Sequence, residues 1–152
     1  TYTKNTLYMF ANLFVKNIEK VGFEDMQQIC KYPQKYIMIN TLPMHEQDCL
    51  IYNTLHFDKE ETTINNLLQN YDLKTKHIVV YGKNSCDESA DKKYKQIQGL
   101  GFQYVFLYSG GLFEWLLLQD IYGREEFPTT NYTLDILKYK PIKQFCMNLL
   151  EN

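Results

Sequence analysis

Three apolar runs of strand length, Tyr36 to Asn40 (YIMIN), His77 to Tyr81 (HIVVY) and Tyr104 to Tyr108 (YVFLY), recur along the chain with helix-spaced apolar residues before, between and after them. Unbroken apolar runs suit strands covered on both faces rather than strands with one wet face. Strands alternating with helices predict a parallel α/β sheet. Phe23, Met26, Ile29 and Cys30 give a short amphipathic helix ended near Pro33, and Ile64, Leu67 and Leu68 give a second. Ala90, Tyr94 and Ile97 form the inner face of a third, and Leu112 to Tyr122 is a fourth, apolar nearly all round. Cys49 to Phe57 (CLIYNTLHF) alternates weakly and reads as a further short strand, while Leu7, Phe10, Phe14 and Ile18 mark an N-terminal helix running to Lys20. Ligands on such a sheet sit beyond the carboxyl ends of the strands, which points to the loops after Asn40, Tyr81 and Tyr108.

The chain has 152 residues, the length of one ordinary domain, and no repeat, low-complexity tract or linker divides it. A single domain over 1–152 is expected, with its core at about 18–122 and a C-terminal extension at about 123–152. Sixteen basic against eighteen acidic side chains leave a net charge of -2, with no Lys/Arg block to neutralise a row of phosphates. That excludes nucleic acid as a main partner. The longest uncharged stretch, Gln96 to Phe113, holds four glycines and several polar residues, so no membrane span is expected. The opening TYTKNTLYMF lacks the sections of a secretory signal, and a cytoplasmic setting is the default expectation. Abundant Lys, Asn, Ile and Tyr suit an AT-rich coding source such as a protist or a large virus.

Cys30, Cys49, Cys86 and Cys146 show no CxxC spacing and no pairing with histidine, so neither a metal nor another cofactor is expected. Cys30 and Cys146 fall on apolar helix faces, where a buried, inert thiol is the ordinary case. His45, His56 and His77 are scattered and read as loop or strand-edge residues.

Taken in order, YIMIN, CLIYNTLHF, HIVVYG with its polar loop and helix, and LGFQYVFLYSGGLFEW resemble a rhodanese domain from about Ile18 to Tyr122. The most specific part is the distance from IVVY through the helix to Gly101-Phe102, then Gly110-Gly111 and Trp115. The resemblance implies a central, mostly parallel five-stranded sheet with helices on both faces, here with N- and C-terminal helical additions. It also implies a six-residue anion-binding loop after HIVVY, opened in active members by a persulfide-forming cysteine and basic in character.

Gly82 stands where that cysteine would stand, and the loop reads Lys83-Asn84-Ser85-Cys86-Asp87-Glu88, with Lys83 its only basic residue. Asp87 and Glu88 suit the first turn of the following helix, where they meet its positive end and repel an incoming anion. Asn40 and Leu42 replace the Asp and Arg that active members commonly carry after the first strand. No His-Cys-x5-Arg arrangement exists, which argues against phosphatase chemistry of related proteins. These departures imply a non-catalytic, rhodanese-like binding or structural module, acting through a protein partner or as a homo-oligomer. The alternative is a thiosulfate sulfurtransferase or thiol redox enzyme using Cys86, which lies near a helix N-terminus and Lys83 but directly before two carboxylates.

Beyond Tyr122 the chain is longer than such a domain needs. Glu125 to Thr130 reads as an extended turn, and Leu134, Ile136, Leu137 and Tyr139 as a segment laid against the domain. Pro141 opens an expected last helix with a stripe at Ile142, Phe145, Cys146, Leu149 and Leu150. This tail either covers the apolar helix around Trp115 to Leu118 or docks into another protein.

Overall fold

The computed structural model describes residues 17–145. Along them run β1 (Lys20–Val21), α1 (Phe23–Ile29), β2 (Tyr36–Asn40), α2 (Phe57–Gln69), β3 (His77–Tyr81), α3 (Glu88–Gly99), β4 (Val105–Tyr108) and α4 (Gly111–Tyr122). Short 3-10 turns at Met44–Glu46 and Ile136–Tyr139 complete the elements.

The strands pair in parallel in the order β1-β4-β3-β2. Pleating sends alternate residues to opposite faces. Ile39, Ile78, Val80, Val105 and Leu107 pack with Ile64 of α2 and with Ala90, Tyr94 and Ile97 of α3. Met38, Val79, Tyr81 and Tyr108 face the other way, onto Met26 and Ile29 of α1 and Leu112, Trp115 and Leu116 of α4. Both faces are dry, which is why the strand sequences run apolar without alternation.

Four strands pair among the described residues, against the five expected. Cys49 to Phe57 is not one of them: it makes only isolated bridges, Thr54 to Met38 and Ile51 to Thr129. Asn53, with φ of 69°, turns the chain there, the Thr54 hydroxyl donates to the Ile51 carbonyl, and Phe57 already begins α2. Lys20, expected to end a helix, instead enters β1 because it pairs with Leu107 of β4. The rest of that N-terminal stripe, Leu7 to Phe14, lies outside the described residues. Residues 141–145 form no helix, and Cys146, Leu149 and Leu150 of the expected tail stripe also lie outside.

The segment after α4 turns back onto the domain. Pro128 and Leu50 carbonyls accept the N–H groups of Tyr52 and Thr130. Phe127 and Tyr139 are buried in the same core cluster as Trp115. The Trp115 indole donates to the Pro128 carbonyl at 3.1 Å, and the buried Gln119 amide donates to Phe127 O and Thr129 Oγ1 at 2.8 and 3.0 Å. A helix apolar on nearly every side thus has much of its surface covered by its own chain.

Candidate functional site

The register aligns Asn40 with Tyr81 and Tyr81 with Tyr108, so the loops that follow these residues lie side by side at the carboxyl edge of the sheet. Between β3 and α3 lies the loop from Gly82 to Asp87. Its first two carbonyls, those of Gly82 and Lys83, accept N–H groups of Leu112 and Phe113 at the start of α4, at 3.0 and 2.9 Å. Gly111 makes that approach possible. Its φ is +70°, and a Cβ there would stand 2.8 Å from Gly82 O and 2.9 Å from Asn84 N.

Asp87 is the N-cap of α3, as its position before the helix predicts. Its Oδ1 accepts the Ser89 N–H at 3.0 Å and the Ser89 hydroxyl at 2.6 Å. Its Oδ2 reaches back and accepts the Lys83 N–H at 2.9 Å. One carboxylate therefore closes the loop from both ends. Glu88 is the first helical residue and is exposed.

Lys83 turns to Glu46, with Nζ 3.0 Å from Oε1, so the loop's cation is already paired. Asn84 accepts the Cys86 N–H on Oδ1 and donates through Nδ2 to the Tyr139 carbonyl, both at 3.0 Å. That second bond ties the loop to the C-terminal segment. Ser85 and Cys86 are exposed at the tip, four residues from Gly82 in the case of the thiol. The thiol borders an open cleft of about 840 Å³ that is also lined by Lys83, Glu88, Lys140 and Ile142.

Asn40 and Leu42 are buried. Asn40 Oδ1 accepts the Leu42 N–H at 3.1 Å and Gln47 Nε2 at 2.8 Å, while its own amide donates to Gln47 Oε1 at 3.0 Å. The pair shapes the turn after β2. Ser89 binds this turn too, with its hydroxyl 2.8 Å from Thr41 Oγ1. Sequence pattern gives no signal for Glu46, Gln47 or the Tyr139 carbonyl, since each meets its partner through the fold.

The other thiols among the described residues, Cys30 and Cys49, are buried and lie outside the loop. Burial pushes Cys30 up to about 11 and also raises Cys49. His56 caps α2 by accepting the Asp58 N–H, and His77 stacks on Tyr104 with ring centres 4.4 Å apart. Burial, then the Lys35 charge, hold His77 below the usual imidazole range. His45 is exposed. Among the described residues no three His, Cys, Asp or Glu side chains are gathered to hold a metal ion, and no helix is long and apolar enough to cross a membrane.

Solved structures share the architecture. The yeast protein Ygr203w, a protein tyrosine phosphatase of the rhodanese family, is 11% identical, with a TM-score of 0.55 over 80% of this chain and 98% of its own. The BH2092 protein of Bacillus halodurans is 20% identical, with a TM-score of 0.53 over 76% and 82%. The Alr3790 protein of Anabaena sp. is 16% identical, with a TM-score of 0.52 over 78% and 97%. No curated protein matches the sequence. At such identities these likenesses speak for the fold alone. The profile of the rhodanese-like domain, however, matches residues 33–118, which is more than half of the sequence and takes in β2 through most of α4. With β2, β3 and β4, the loop after β3 and the Gly-Gly entry to α4 all inside that span, the chain belongs to the rhodanese-like domain family.

Proposed function

We propose that this chain is a non-catalytic rhodanese-like module that acts through protein–protein contacts. The observation that carries the reading is Gly82 directly after β3, the place a family nucleophile would occupy, in a loop whose cation is paired with Glu46. No thiolate forms at a glycine. Further support comes from the surface. Leu117, Ile121 and Tyr122 of α4 are exposed although residues 127–129 bond to the helix, and the returning segment itself exposes Leu134 and Leu137. Exposed apolar and aromatic side chains of this kind are the usual material of interface cores.

The test is a thiosulfate-to-cyanide sulfur-transfer assay with mass analysis for persulfide. No turnover and no added sulfur are expected. Sulfur transfer by the wild type would overturn the reading. The exposure of Cys86 on the cleft favours a second reading, a sulfurtransferase or thiol redox enzyme using that thiol. Turnover lost in Cys86→Ala would establish it.

A further inference from the structure

Gly82 has no positive φ, so its backbone would accept any residue. Space is what restricts it. A Cβ at this position would lie 2.6 Å from Asp87 Oδ2, 3.0 Å from Asp87 Cγ and 3.1 Å from Ala90 Cβ. The carboxylate in its way is an anion held by the Lys83 N–H, the Ser89 N–H and the Ser89 hydroxyl at the positive end of a twelve-residue helix. Convergent N–H groups at a helix N-terminus are the chemistry of an oxyanion site.

We propose that Asp87 is a built-in ligand: its carboxylate permanently fills an oxyanion cradle formed by Lys83 and Ser89, and Gly82 is the residue that leaves room for it. A side chain at 82, an external oxyanion and the Asp87 carboxylate compete for one space. A cysteine placed at position 82 alone is therefore not enough for sulfur transfer, because its Cβ collides with the Asp87 carboxylate and its thiol has that acid for a neighbour. Removing the carboxylate instead exposes the donors to a small oxyanion.

This rests on the non-catalytic reading of the loop but is measured without turnover, so the two fail separately. The experiment combines Gly82→Ala with Asp87→Ser, in which serine still caps α3 but is too short to reach the Lys83 N–H. Thermal unfolding of wild type, both single variants and the double variant is followed against sodium sulfate, with sodium chloride at matched ionic strength. Gly82→Ala is expected to lower Tm by about 5 °C in the wild-type background and by less than about 2 °C in the Asp87→Ser background. Asp87→Ser should gain a saturable, millimolar stabilisation by sulfate. The wild type should show only the gradual rise that excluded sulfate gives to folded proteins generally. Additive effects of the two substitutions would overturn the proposal, as would a saturable sulfate response equal in wild type and Asp87→Ser, or none in a folded Asp87→Ser. If Asp87→Ser fails to fold, Gly82→Ala alone decides by nuclear magnetic resonance. Lys83 and Ser89 amide shifts should move as the carboxylate leaves, and unmoved shifts would refute the idea.

Discussion

A single carboxylate organises the loop after β3, and its energetic weight is open to measurement. Asp87 accepts bonds at both ends of the loop, whereas Glu88 projects into solvent. Asp87→Ala should cost about 1–2 kcal/mol, from the lost cap and the favourable helix-end charge, while Glu88→Ala should cost less than about 0.5 kcal/mol. Urea denaturation of the two variants checks the difference, and equal small losses would mean that the cap contributes nothing. Cys30 offers a second residue-scale prediction. Its thiol is held near 11 in the folded chain by burial, against about 9 when the chain is open. The folded state then keeps a proton that the unfolded state gives up. The contribution is fully present below pH 9 and is lost as pH rises from 9 to 11, by roughly 2–3 kcal/mol in total. Burial raises Tyr81 and Tyr108 as well, which steepens the same alkaline fall. Cys30→Ala should flatten the slope of unfolding free energy between pH 9 and 11, whatever it does to the absolute stability.

At the scale of elements, the entry to α4 is where local conformation and tertiary contact coincide. Gly111→Ala places a Cβ against three backbone atoms of the 82–84 loop, none of which is the far end of a flexible side chain, and in a left-handed conformation as well. A loss of about 2–4 kcal/mol is expected, with disturbance of the Gly82 to Asp87 amide signals rather than of α4 alone. An unaltered loop in a destabilised variant would show that the two elements are not coupled. The turn into α4 is legible in sequence because Gly111 is needed at a left-handed position there, and α3 is legible because Ala90, Tyr94 and Ile97 mark its inner face. Cys49 to Phe57 misleads for an equally physical reason. Cys49, Leu50 and Ile51 are buried in succession, within the core cluster that also holds α4 and the returning C-terminal segment, so their apolar character has no strand period behind it. β1 is illegible, since two residues form no pattern and only pairing with Leu107 and Tyr108 defines it. In the loop, the Asp87 cap is visible two residues from its partner, whereas the Lys83–Glu46 pair spans 37 positions and leaves no trace.

For the whole molecule, the last core side chain among the described residues is Tyr139, fully buried among α1, α4 and the strands, and its carbonyl holds Asn84. A chain ending at Lys140 loses the exposed Ile142 and Phe145 and should keep its far-ultraviolet circular dichroism and its Tm within about 3 °C. A chain ending at Asp135 loses Tyr139 as well, and should be less stable by about 3–5 kcal/mol. Equal stability of the two truncations would show that the segment merely lies on the surface. If the tail beyond Lys140 is what a partner grips, the first truncation should abolish that capture without weakening the fold.

Trp115 is the chain's only tryptophan, wholly buried, with its indole N–H on the Pro128 carbonyl and the Phe127 ring 4.9 Å away edge-on. Its fluorescence is thus an optical sensor placed at the seam between α4 and the returning segment. Emission from the closed seam should be blue-shifted, and any event that lifts residues 127–129 should shift it to the red while the sheet's dichroism is still intact. A partner that replaces this cover, rather than adding to it, would announce itself by colour.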